Sequence, residues 1–238
     1  MLFAITSLDQ FYSFRTLLLI VFIGILLVGF VWFMVKARTM ESPQARRIQQ
    51  GYGLFGLTYA FTRIFFLLSD YERGSHLGTV TQLHLIWVGL GYSVTFVSLL
   101  VIYYTVEKQI LNRKPILTVI ALGSFIVCLV SLVMVILNIG VDLVNNNGPQ
   151  KIAQYTLYIT GSFLAIGIAA LYIVIARNSS GDVKKKALLS LIGLLIMFGG
   201  LLMDMDALSA LGIDAIRFYL SPLLFIVGTS MFFVAQRK

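Results

Sequence analysis

The sequence predicts an all-α integral membrane protein, a bundle of seven transmembrane helices with the N-terminus outside and the C-terminus cytoplasmic. Composition is the first indication: 59% of the 238 residues are apolar and 12% charged, with a mean hydropathy of +0.93, far from the balance of a soluble domain. The second is a set of seven apolar runs, at 16–35, 52–69, 83–105, 116–138, 152–176, 187–205 and 215–235. Each approaches or exceeds the about 20 residues that cross a hydrocarbon core of about 30 Å as a helix. The third is the placement of the basic residues. Lys36, Arg38, Arg46, Arg47, Lys108, Arg113, Lys114, Arg177, Lys184, Lys185, Lys186, Arg237 and Lys238 follow the first, third, fifth and seventh runs, and Lys and Arg in short loops mark the cytoplasmic side. Short connections leave no room for a second folded domain, so 1–238 reads as one seven-helix domain, multi-pass in the cell membrane.

The first run follows a leader carrying Asp9 and Arg15 rather than a basic cluster, so it is expected to remain as a helix and not to be cleaved as a signal. Without a polar stripe it is expected to contact lipid. Pro43, ahead of Ala45-Arg46-Arg47, predicts a helix start at the membrane surface. The second run holds the chain's most informative residue, Arg63, in the middle of an apolar span. Counting in threes and fours puts Tyr52, Phe55, Tyr59, Arg63, Phe66 and Asp70 on one face. A buried guanidinium costs several kcal/mol, about 2.5–3.5 on insertion scales, so it should face a partner or water inside the bundle. Its side chain leans toward the N-terminus of its own helix, away from outer water, which favours an internal partner.

His84, Val88, Gly91, Thr95 and Ser98 form a seam on the third helix, while Ser124, Cys128, Ser131, Val135 and Asn138 on the fourth read as close packing. On the fifth, Tyr155 fits an interfacial belt and Tyr158 lies deeper. The sixth carries Gly193, Met197, Gly200 and Asp204 on one face, with Gly199-Gly200 the expected point of bending or tight contact. The seventh carries Arg217, Ser221, Leu224 and Gly228, and Pro222 interrupts its hydrogen bonding.

Seven spans with the N-terminus outside resemble rhodopsins, G-protein-coupled receptors and the sensor modules fused to microbial kinases. The motifs of those families are absent. The seventh run holds no lysine for a retinal Schiff base, and the third ends Tyr-Tyr-Thr-Val-Glu-Lys108 without the receptors' Asp-Arg-Tyr. The resemblance is therefore topological, and no family is assigned.

Enzyme chemistry has little support. Two histidines, His76 and His84, cannot supply a two-haem bundle or a three-histidine metal centre, and no zinc-protease, hydrolase or phosphate-loop motif is present. No cofactor or metal is expected. Nucleic acid is not an expected partner either, because the basic residues flank spans instead of forming a module. Arg63, Asp70, His84, Tyr158, Asp204 and Arg217 belong to the outer half on five helices, and with Tyr59 on the Arg63 seam they predict an outward-facing polar cavity for a small polar or anionic ligand. Arg63 is expected to pair with Asp204. The function this implies is receptor-like or sensory, with the signal passed to a cytoplasmic or membrane protein partner. The alternatives are a small secondary transporter using an intramembrane Arg–Asp pair, and a structural subunit of a membrane complex.

Overall fold

The computed structural model describes residues 2–76, 79–143, 148–204 and 214–236. They form seven helices: α1 (Leu2–Arg38), α2 (Pro43–Ser75), α3 (Gln82–Ile110), α4 (Ile116–Ile136), α5 (Gly148–Arg177), α6 (Gly181–Met203) and α7 (Asp214–Ala235). Among the described residues, α1 to α5 are long and apolar enough to cross a membrane, and Tyr219–Ala235 within α7 is a shorter apolar helix. The chain divides into two compact units, a central one of Leu26–Gly167 and a terminal one of Met1–Ile25 with Ile168–Lys238.

In the central unit, α2 starts where Pro43 predicts. Ser42 is the N-cap, its hydroxyl accepting from Ala45 N, and Pro43 occupies the first turn, where its missing N–H costs nothing. From this start the helix runs without a break into the second apolar run, for 33 residues or about 50 Å, well beyond the hydrocarbon thickness. Gly51 and Gly53 do not interrupt it because neighbours fill the space of their missing side chains. A Cβ on Gly53 would stand 3.2 Å from Phe33 Cβ, and one on Gly51 would strike the Thr105 side chain. Between α2 and α3, the Phe66 ring lies over Gly91 and meets Tyr92 edge-on at 5.4 Å.

Both ends of α4 are finished by side chains of α3. The last turn of α3, Thr105–Ile110, is a π-helix, and Glu107 within it is buried, 4% exposed. Its carboxylate accepts from Leu117 N at 2.9 Å, Thr118 N at 2.9 Å and Thr118 Oγ1 at 2.8 Å. It thus satisfies N–H groups that the start of a helix leaves unpaired. At the other end, Gln82 Nε2 donates to Val135 O at 3.1 Å and Ile136 O at 3.3 Å. The fourth run was expected to continue through Asn138, but that residue adopts a left-handed φ of 57° and Ile139 N closes on Met134 O at 2.8 Å. This is a helix stop that asparagine tolerates well. Across the α4–α5 contact, Ser124 Oγ donates to Thr160 Oγ1 at 3.0 Å, next to a second π-turn at Leu157–Gly161.

In the terminal unit, α6 and α7 pack backbone against backbone. A Cβ on Gly193 would lie 2.7 Å from Gly228 O, and one on Gly228 would lie 2.6 Å from Gly193 O. Gly200 faces Ser221 O at 3.1 Å, while Gly199 has only Leu224 Cδ1, at 3.9 Å. Of the expected Gly199-Gly200 pair, Gly200 therefore makes the tight contact. Pro222 lies inside α7, which continues through it. Phe22 of α1 stacks on Phe225 at 5.4 Å.

Candidate functional site

Arg63 sits on the inner face of α2 and is 3% exposed, whereas Leu54, Phe61 and Leu68 on the opposite face are open to the surroundings. The three-and-four spacing of the sequence produces this division. The guanidinium follows the natural lean of a helical side chain. One turn back, Arg63 Nη2 donates to Tyr59 Oη at 2.7 Å, and its carbon lies 5.1 Å from the centre of the Tyr59 ring. Tyr59 is itself 8% exposed and stacks on Phe55 at 5.7 Å. The guanidinium therefore meets a hydroxyl oxygen and a π-face, both attractive contacts for a cation.

Further along α2, Ser69 and Asp70 approach the start of α3. His84 is buried, 6% exposed, and its Nδ1 lies 2.9 Å from Ser69 Oγ and 3.0 Å from Ser69 O. A proton on Nδ1 would be donated to that carbonyl and leave Nε2 as the acceptor. Thr81 ties the same corner together, its Oγ1 accepting from His84 N at 3.0 Å and donating to Glu72 Oε1 at 3.0 Å. Asp70 is half-buried beside Ser69. Tyr158 lies in the π-turn of α5, half-buried, and accepts from Gln154 Nε2 at 2.6 Å.

The terminal unit holds the other expected carboxylate. Asp204 Oδ1 accepts from Arg15 Nη2 at 3.2 Å, with side chains 17% and 11% exposed respectively. The sequence leaves Arg15 in a leader, but α1 begins at Leu2, so Arg15 is a helical residue 9% exposed. The Arg217 side chain lies outside the described residues. Arg63 with Tyr59, and His84 with Ser69, are thus brought together in the central unit, and Asp204 with Arg15 in the terminal one.

Part of the expected polar lining is already used. On α3, Thr95 Oγ1 donates to Gly91 O at 2.7 Å and Ser98 Oγ to Val94 O at 2.9 Å. Hydroxyls bonded to the preceding turn are shielded without a ligand. Among the described residues, no group of three or more His, Cys, Asp and Glu side chains could hold a metal ion. Comparison with protein-family models, curated proteins and solved structures finds no match for this chain.

Proposed function

We propose that the protein is a receptor-like or sensory membrane protein of the cell membrane, with seven spans, the N-terminus outside and the basic ends of its helices cytoplasmic. In this reading Arg63 is the recognition centre for a small polar or anionic ligand, aided by Tyr59, Asp70, His84 and Tyr158 of the central unit, and a separate partner carries the signal. The observation that supports it is a guanidinium buried in the middle of an apolar helix. A purely structural residue at that depth could be apolar without the cost of burying charge, so an intramembrane cation is a binding-site hypothesis by default. The Tyr59 hydroxyl and ring stand beside the guanidinium, and together they offer donors and an aromatic wall of the kind that recognises a small anion.

A thermal-shift screen of small carboxylates and phosphates on the protein in lipid nanodiscs tests this. One chemical class should raise the unfolding temperature of the parent and leave Arg63→Gln unmoved. Equal stabilisation of both, or none in the parent across the panel, would end the ligand reading. A carrier is the second reading, supported by the Arg15–Asp204 pair. Substrate uptake into liposomes that is lost in Asp204→Asn would favour it over the receptor.

A further inference from the structure

The central unit gathers exposed cations at one end. Arg38 closes α1, Arg46 and Arg47 stand in the first turns of α2, Lys108 lies in the π-turn of α3, and Arg113 and Lys114 follow it; all are exposed. They belong to one surface because Gln44 Nε2 at the start of α2 donates to Gln109 O in the π-turn at 2.7 Å, and Gly51, about two turns farther along α2, packs against Thr105. The sequence would partly neutralise this cluster with Glu107, but the π-turn carries that carboxylate inward, where α4 amides and Thr118 take up both oxygens. Glu41 is the other acid at this end, on the α1–α2 turn. Among the described residues, none of Arg46, Arg47, Lys108, Arg113 and Lys114 is engaged in an ion pair.

The aromatic residues locate the cluster relative to a bilayer. Trp32 lies nearly two turns inside the end of α1, with Lys36 Nζ 5.1 Å from the centre of its ring. Tyr104 is 46% exposed immediately before the π-turn, while Tyr103 beside it is fully buried. Half-buried Trp32 and exposed Tyr104 are ring types that favour the level of lipid headgroups, which places the cations in the phosphate layer just beyond them. Arginine forks and lysine ammoniums, unneutralised at that level, are the chemistry that binds phosphodiesters.

We propose that this end of the central unit is a binding site for the phosphate headgroup of an anionic phospholipid, framed by Arg46, Arg47, Lys108, Arg113 and Lys114. The inference is independent of the ligand assigned to Arg63. Each basic residue at a membrane surface contributes about fivefold in affinity for anionic lipid, so neutralising three should weaken retention by about a hundredfold at low salt.

The experiment uses the full chain in nanodiscs of mixed phosphatidylcholine and phosphatidylglycerol. Lipid retained after mild detergent extraction is measured by native mass spectrometry. The parent should hold phosphatidylglycerol over phosphatidylcholine, and added salt should release it. The triple variant Lys108→Gln, Arg113→Gln, Lys114→Gln should lose the preference. Lys184→Gln, Lys185→Gln, Lys186→Gln, which removes equal charge from the terminal unit, should keep it. Equal loss in both variants would reduce the site to a general charge effect and overturn the proposal, as would displacement of the lipid by inorganic phosphate alone. Protection of Cys128 from thiol reagents verifies folding. Should the triple variant fail that check, the salt titration of the parent decides, and salt-insensitive retention refutes the site.

Discussion

Replacing Gly228 with alanine puts a methyl group 2.6 Å from Gly193 O and 2.7 Å from Met197 N. Ordinary contact begins at 3.4 Å, so α6 and α7 must part by about 0.8 Å there, since backbone atoms cannot swing aside as a side chain can. A gap of about 0.5–1 Å forfeits a quarter to a half of each dispersion contact it opens. Overpacking of this kind costs about 1–3 kcal/mol, while the better helix propensity of alanine returns about 0.5–1 kcal/mol. The net loss should be about 1–2 kcal/mol, equivalent to roughly 2–8 °C in Tm for a chain of this size. Gly199→Ala supplies the control, because its Cβ meets nothing nearer than Leu224 Cδ1 at 3.9 Å. It brings the same gain in propensity without the clash, and its Tm should hold or rise. Circular dichroism on heating in detergent measures both. If Gly228→Ala and Gly199→Ala move Tm by the same amount, the close glycine seam does not hold α6 to α7.

Three other outcomes are expected. Glu107→Gln replaces one carboxylate oxygen with a donor facing donors and should cost about 1–3 kcal/mol; a Tm within experimental error of the parent would show that the cap is unimportant. Among the described residues Ser221 Oγ and Thr229 Oγ1 are buried without hydrogen-bond partners, so Ser221→Ala and Thr229→Val should leave stability unchanged or raise it by about 1 kcal/mol, and a marked fall in Tm in either would contradict this. Cys128, a free thiol fully buried between α4 and α5, should react with N-ethylmaleimide only after unfolding in strong detergent; equal rates before and after would mean that the α4–α5 contact opens in the native protein.

The helices were legible because a bilayer allows no unpaired backbone, so a long apolar run leaves few choices besides a helix. The inward face of Arg63 was legible for a related reason: a charge on one side of α2 and Leu54, Phe61 and Leu68 on the other can be sorted by spacing alone. Partners distant in sequence were not. Nothing near Arg15 signals Asp204, 189 positions away, and Thr6, Ser7, Asp9 and Gln10 interrupt the apolar pattern ahead of it, which conceals that Arg15 is already helical. In the sequence Glu107 is simply an acid two residues past the third apolar run. Its role depends on a π-turn, which leaves no periodic trace, and on amides that any residue at 117 and 118 would present. The hydroxyl seam on α3 was visible as residue types, but sequence does not reveal that Thr95 and Ser98 bond back to their own helix.

The α3–α4 pair has a consequence for assembly. At 21 residues, α4 is about 31 Å long, close to one hydrocarbon thickness, and α3 supplies a polar side chain to its first turn and another to its last. A hairpin whose second helix has both ends sealed by the first can leave the insertion machinery with that helix finished, before α5 has been synthesised. It should be the shortest excised segment that remains helical and monodisperse in micelles.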